Sequence, residues 1–475
     1  PGVVAPIPID LPRAGLAQGA RRLAHIAMLG ARHMPPVAMR KLIRRPGGAA
    51  RAGRRVFDGL GATYVKFGQF IASAPGIVGE EVAEEFRGCL DAGPAVPFAK
   101  VRAIVESEIG APIASVFASF DERPIAAASI AVVHRATLLD GAEVAVKVLR
   151  PGIERTVATD LGMMEGWVRF MAARGVDQAY NMVALIVGLR AQIAEELDLR
   201  NEARTMDVFR GLFVRFGLKR LVIPRVYHQH TSRRVLTMEL LDGRPIDDLE
   251  HATALGIDVA PLVRELLDAW VLAGLRVRAF HADIHAGNLL VLRDGRLGML
   301  DWGILSRFDD DSDAIFRHMC EASLGRDEAW DEITRYMIKS NGPSFYALGL
   351  DDAQVRRFVQ ASFEPILTRP LSEVSMAALL ATGDDVTIRA TGEPAPKRDW
   401  WYRIRAMRSA AKAYRAAVAS RSFETSTMRM GFLSMKQLVY LERYGRMYIP
   451  DELLLGDPEF MRRALADAPD TARAP

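Results

Sequence analysis

The segment HADIHAGNLLVLRDGRLGMLDWG, His281 to Gly303, constrains this 475-residue chain more than any other stretch. It sets Asp283, then Asn288 five residues on, then Asp301 eighteen residues after Asp283. The text between reads as two short strands, LLVL and LGML, joined by a tight RDGR turn with Gly295. One loop and two strands therefore supply two carboxylates and an amide. A carboxylate can orient or deprotonate an acceptor hydroxyl. An amide and a second carboxylate supply the oxygens that hold magnesium on nucleotide phosphates. An ordinary hairpin with surface acids would need spacing, turn and residue types all to coincide.

The length exceeds one compact core and predicts two or three packed units. The longest apolar run, MVALIVGL at Met182–Leu189, falls well short of the roughly 20 residues a membrane helix needs. No stretch of signal-peptide composition is seen at the start. Cys89 and Cys320 are the only cysteines, so no disulfide framework is expected and a reducing cytoplasm is the default. The net charge of +4 is unevenly spread: Pro1–Arg55 holds eleven Arg/Lys and one acid (Asp10). This arm reads either as a basic amphipathic helix for an anionic membrane surface or, alternatively, as a solvated arm or a helix packed on the body. An association with the inner face of the membrane is the matching expectation for location. Arginines greatly outnumber lysines throughout, and neither zinc-finger spacing nor an aromatic-basic RNA motif points to nucleic acid.

Along the chain, Val56–Ser73 and Glu80–Leu90 read as helices, with a Gly-Pro break at Gly93–Pro97. Val101–Gly110 is helical again. Ser129–Leu139 and Glu143–Leu149 then read as strands joined by an Asp140-Gly141 hairpin turn. A long helical region runs from Ile153 to about Phe216, followed by strands at Leu221–Ile223 and Arg234–Leu240. From Asp247 the pattern is mainly helical, with a loop at Thr382–Lys397, a helical tail from Trp400 to about Tyr440, and a disordered end. Arg405, Arg408, Lys412 and Arg415 form a basic stripe on that tail, behind Trp400-Trp401-Tyr402. A small strand-rich lobe before a larger helical lobe, with the magnesium segment early in the second, is the order of a protein-kinase fold.

The H-x-D-x-x-x-x-N and D-x-G patterns fit that order, as does Lys147 in EVAVKVL, a lysine placed to contact nucleotide phosphates and pair with a glutamate. The glutamate candidates lie in EELDLRNEA: Glu195, Glu196, Asp198 and Glu202. Backbone at Glu239–Leu241, where a strand ends between Lys147 and the magnesium segment, is the expected hinge beside adenine. No G-x-G-x-x-G precedes Lys147. Ala126, Ala127, Ala128 and Ser129 stand there instead, and alanine resists the positive φ that closes backbone over phosphates. A stiffer, even helical, turn is expected, with altered nucleotide handling.

These residues resemble the UbiB/ADCK (AarF) family of atypical kinase-like proteins. The signature is KFGQ at Lys66–Gln69, AAAS at Ala126–Ser129, VAVK ending at Lys147, ELD at Glu196–Asp198, NEA around Glu202, HADIHAGN, and DWG at Asp301–Gly303. The resemblance implies that Lys147 pairs with Glu202, and that Lys66 reaches Glu196 and Asp198 from an added N-terminal helix laid over the site. It implies ATP or ADP with magnesium held by Asn288 and Asp301, with Asp283 as base or orienting carboxylate. ATPase or unorthodox kinase activity in isoprenoid-quinone or lipid metabolism would follow. The rivals are a nucleotide-sensing scaffold and a small-molecule phosphotransferase of the aminoglycoside-kinase type. The chain departs from the family at Ala131-Val132, where Gly-Gln is usual. The expected fold is α+β and bilobal: basic arm 1–55, KxGQ helical extension 56–120, strand-rich lobe 121–245, helical lobe 246–380, and helical extension 381–475.

Overall fold

In a computed structural model, residues 5–7, 9, 11–12, 15–33, 48–72, 80–86, 95–174, 177–376, 388–392, 425–456 and 458–466 are described. The expected α+β, two-lobed architecture is what they form. The first lobe is a five-stranded antiparallel sheet in the order β1 (Phe117–Phe120), β3 (Ala131–Leu138), β4 (Glu143–Leu149), β6 (Val235–Glu239), with β2 (Ala126–Ala127) on the flank of β3. Val144, Val146 and Val148 join a core with Val101, Ile104 and Val105 of the helix Phe98–Ile109. Ala145 and Leu149 join the main core on the opposite face. Side chains alternate along a strand, so Lys147 falls with Ala145 and Leu149, on the face turned toward the rest of the molecule.

Past Glu239 the chain crosses to a second, four-stranded sheet. There β7 (Gly243–Pro245) pairs with β9 (Leu289–Leu292), β9 with β10 (Leu297–Met299), and β10 in parallel with β5 (Leu221–Val222). The strand expected at Leu221 thus belongs to the helical lobe's sheet, not to the first lobe. Gly243 is required at the crossing, because a Cβ there would lie 2.7 Å from the Val291 carbonyl oxygen. The long helical region divides into Ile153–Ala173, Asp177–Glu196 and Leu199–Phe216. The last begins where Asp198 caps it by accepting from the Arg200 amide. The helix Ala260–Val277 forms the buried spine of the second lobe.

Ahead of the first sheet lie the helices Leu16–His33, Gly48–Leu60 and Ala62–Ala72. A single helix over Val56–Ser73 was expected; Gly61, with φ of 88°, breaks it. The first of these helices is docked on the body through Arg22. Its guanidinium bonds both oxygens of buried Asp160 at 2.6 and 2.8 Å and the Leu60 carbonyl at 2.6 Å. A helix packed on the body is therefore the reading the described part of the arm follows. The basic stripe behind Trp400, the loop at Thr382–Lys397 except Ile388–Gly392, and the terminal nine residues lie outside the described residues. The tail helix is described as Thr425–Tyr448.

Candidate active site between the lobes

Lys147 is 6% exposed, and its ammonium donates to both Glu202 oxygens at 3.0 and 2.9 Å and to Asp301 Oδ1 at 2.9 Å. Burial works against that ammonium, yet Asp301 and Glu202 outweigh it and hold its pKa above the ordinary lysine value. Burial also works against the Asp301 carboxylate, but Lys147 and then Lys66 hold it well below the usual carboxylate range. Burial pushes Glu202 up to about 7, against the pull of Lys147.

Lys66, on Ala62–Ala72, places Nζ 2.5 Å from Glu196 Oε2, at the end of Asp177–Glu196. Gln192 adds a bond to the other Glu196 oxygen at 3.3 Å. Asp198 does not face Lys66. It caps the helix Leu199–Phe216 and pairs with Arg200 at 2.5 Å, because the turn between the two helices points it along the new helix axis. Glu195 goes to Arg307 at 2.7 Å. The Gln69 side chain lies outside the described residues.

The backbone of residues 281–288 is fixed in part by side chains of its own, His281 and Asn288. His281 is buried, which lowers its pKa; its Nε2 lies 3.0 Å from the Leu300 carbonyl and its Nδ1 accepts from the Asp283 amide at 3.1 Å. That pattern requires the neutral Nε2–H tautomer. His281 also packs on Trp302, which lies between it and Phe209 with ring centroids 4.6 Å away on each side. Strands β8 (Ala279–His281) and β11 (Leu305–Arg307) pair, with Leu305 opposite His281, so the segments bearing Asp283 and Asp301 run side by side. Asp301 has φ of 51°, a left-handed conformation that aspartate tolerates better than most residues.

Among the described residues, no three His, Cys, Asp or Glu side chains are grouped to hold a metal ion alone. Magnesium does not need that, since one or two protein oxygens with phosphate oxygens and water complete its shell. Asn288 sits beside Asp301, its carbonyl accepting from the Leu300 amide at 2.8 Å. Its Nδ2 is engaged on the Asp283 carbonyl at 2.9 Å, which leaves the amide's oxygen end for a hard cation. An amide oxygen and a carboxylate are donor types that magnesium takes.

The alanine segment is extended, not helical: Ala126 pairs with Val133 and Ala127 with Val132. Val133 in turn lies opposite Lys147, so the segment shares a rung of the sheet with the lysine. The turn at Ala128–Ile130 is fastened by Arg150, which donates to the Ala128 carbonyl at 3.1 and 3.0 Å. Ser129 is buried. At the crossing, the Glu239 carboxylate accepts from the Arg225 amide at 3.1 Å, and Leu241 packs over Gly298. Two contacts had no sequence signal local enough to find them: Arg150 on the alanine turn, and Lys436 of Thr425–Tyr448 on Asp283 at 2.6 Å. Burial works against the Asp283 carboxylate, but Lys436 and then His285 hold its pKa below the ordinary value.

A strand lysine held between a helix glutamate and a D-x-G aspartate, below an H-x-D-x-x-x-x-N loop, defines a kinase-like site. Residues 89–334 match the ABC1 atypical kinase-like domain, and the chain belongs to that family. It is 34% identical over 407 residues to an uncharacterized aarF domain-containing protein kinase of the Arabidopsis thaliana chloroplast, covering 85% of this chain and 73% of the plant protein. A probable protein kinase UbiB of Cellvibrio japonicus is 33% identical over 338 residues, 69% of this chain and 59% of that protein. Against that bacterial relative, the chain spans less than two thirds of its length. A solved Mycobacterium tuberculosis structure, a complex with erythromycin, superposes with a TM-score of 0.44 at 22% identity, over 84% of this chain and 94% of that one.

Proposed function

We propose that this chain binds ATP or ADP with magnesium between its lobes and acts as an ATPase or a small-molecule or lipid kinase serving isoprenoid-quinone or lipid metabolism. The observation that carries the reading is the Lys147 ammonium within 3.0 Å of both Glu202 and Asp301. Lys147 with Glu202 would hold the nucleotide phosphates, Asn288 and Asp301 the magnesium, which neutralises charge developing on the phosphoryl oxygens. Asp283 would accept the proton of the acceptor hydroxyl, water in the ATPase case, as that oxygen bonds to phosphorus. The bond to ADP breaks with its electron pair on the ADP oxygen. The backbone of Glu239–Leu241 would meet the adenine, and Ala126–Ser129 would flank the phosphates.

Lys66 on Glu196 brings the helix Ala62–Ala72 against this site, which disfavours a protein substrate and favours a small acceptor. Arg21 and Arg32 remain exposed on the docked helix, so an anionic membrane surface is the proposed lipid contact. No helix among the described residues is long and apolar enough to cross a membrane. The test is phosphate release from ATP with magnesium, with and without anionic liposomes. Release at least about 100-fold above an Asp301→Asn variant is expected, the scale of losing one preorganised electrostatic group. Nucleotide-induced thermal stabilisation without such release would instead mark a nucleotide-sensing scaffold.

A further inference from the structure

Lysine is rare here: nine of the 62 basic residues are lysines, and the other 53 are arginines. Three of the nine, Lys66, Lys147 and Lys436, each sit on a carboxylate of the one site, at 2.5, 2.9 and 2.6 Å. They arrive from three places in the chain: the N-terminal extension, the first sheet and the C-terminal helix. The first two belong to patterns already read in the sequence. Lys436 belongs to none of them and comes from 153 residues beyond its partner.

The two ends of Asp283 are held differently. Its backbone is fixed locally, the amide on His281 Nδ1 at 3.1 Å and the carbonyl by Asn288 Nδ2 at 2.9 Å. Its side chain is not held by that loop. Oδ1 accepts from Lys436 at 2.6 Å, while Oδ2 lies 3.9 Å from His285 Nε2, beyond a hydrogen bond. One carboxylate oxygen is therefore pinned and the other is left to face an acceptor.

The bland alternative is a charge pair that merely fastens the C-terminal helix to the body. That helix is already fastened by other contacts, one of them to the same loop. Tyr444 donates to the Ile284 carbonyl at 3.0 Å, Arg443 bonds Asp247 at 3.0 Å, Tyr448 bonds the Ile246 carbonyl, and Arg446 bonds the carbonyls of Leu371 and Val374. None of these contacts touches a carboxylate of the site. With the helix so anchored, the Lys436 ammonium arrives at Asp283 pre-placed, and it removes side-chain freedom that the carboxylate would otherwise lose only on reaction. We infer that Lys436 is a positioning residue for Asp283, which makes the C-terminal helix a working part of the catalytic loop. This rests on the reading of Asp283 proposed above.

Steady-state ATP turnover with magnesium, on the full chain, tests it with Lys436→Met, Lys436→Arg, Arg443→Ala and Asp283→Asn. Displacing a positioned group by about an ångström costs on the order of 100-fold in rate. Lys436→Met is accordingly expected to lower kcat by about 10- to 100-fold with KM for ATP within about threefold of the parent. The groups proposed to hold the nucleotide are untouched by that change. Lys436→Arg keeps the charge and recovers most of the rate. Arg443→Ala loosens the same helix away from the loop and leaves kcat unchanged, which separates positioning from docking. A folded Lys436→Met variant with parental kcat, or with a higher one as for an inhibitory latch, overturns the inference and leaves the proposed function standing. Parental turnover no higher than that of Asp283→Asn overturns both.

Discussion

Among the described residues two lysine–glutamate pairs lie largely out of solvent at the site, and they are supported in different ways. Lys147 belongs to β4, an interior strand paired with β3 on one side and β6 on the other, and it holds two carboxylates. Lys66 belongs to a helix of the N-terminal cluster and holds one. Both glutamates come from a single bend of chain, since Glu196 closes one helix and Glu202 opens the next. Similar burial and similar distances thus conceal different mechanics. Parting Lys147 from Glu202 requires the helix Leu199–Phe216, whose Leu199, Ala203, Met206 and Phe209 are buried, to leave the sheet. Parting Lys66 from Glu196 requires only that one helix move away. What surrounds a pair decides whether it is a fixture or a separable contact.

The largest effect is expected at the fixture. Lys147→Met leaves Glu202 and Asp301 buried without their shared cation, a loss of about 3–5 kcal/mol for breaking such a pair. Denaturant unfolding should show it, and ATP should no longer raise the thermal midpoint. Lys66→Met is expected to cost less, about 1–3 kcal/mol, because the helix can shift and admit water to Glu196. It should keep ATP-induced stabilisation while nucleotide dissociates several-fold faster in a stopped-flow chase. Equal loss of nucleotide binding in both variants would abolish the distinction.

Much of the fold was legible because its signals are local. The strand expected at Glu143–Leu149 is β4 residue for residue, and the Asp140-Gly141 turn supports the β3–β4 hairpin with Gly141 at φ of 89°. The spacing of Asp283, Asn288 and Asp301 was readable for the same reason: one hairpin sets it. What escaped is non-local. Leu221 pairs with Leu297, and nothing in either segment names its partner. Lys436 lies in a helix whose sequence says nothing of Asp283. Gly61 was legible as glycine but not as a break, since only its left-handed backbone shows that the helix ends there. The alanine segment was expected to make a stiffer, even helical, turn because alanine resists positive φ; it does avoid positive φ, but pairing with β3 holds Ala126 and Ala127 extended.

Asp198 gives the smallest and sharpest test of how the bend divides its acids. An aspartate just before LRNE suits an N-cap, and it equally suits a partner for a nearby lysine; sequence cannot separate the two roles. The structure gives it the cap, with Arg200 beside it and Lys66 directed to Glu196 instead. Asparagine caps about as well as aspartate, so Asp198→Asn should leave stability within about 0.5 kcal/mol, whereas Asp198→Ala should cost about 1 kcal/mol. The lost ion pair with half-exposed Arg200 adds little to either. Glu196→Gln, by contrast, removes the charge that holds Lys66 and should reproduce the faster nucleotide dissociation of Lys66→Met. If Asp198→Asn instead behaved as Glu196→Gln does, both acids would serve Lys66, and the separable pair would be a three-membered cluster as firmly held as the one around Lys147.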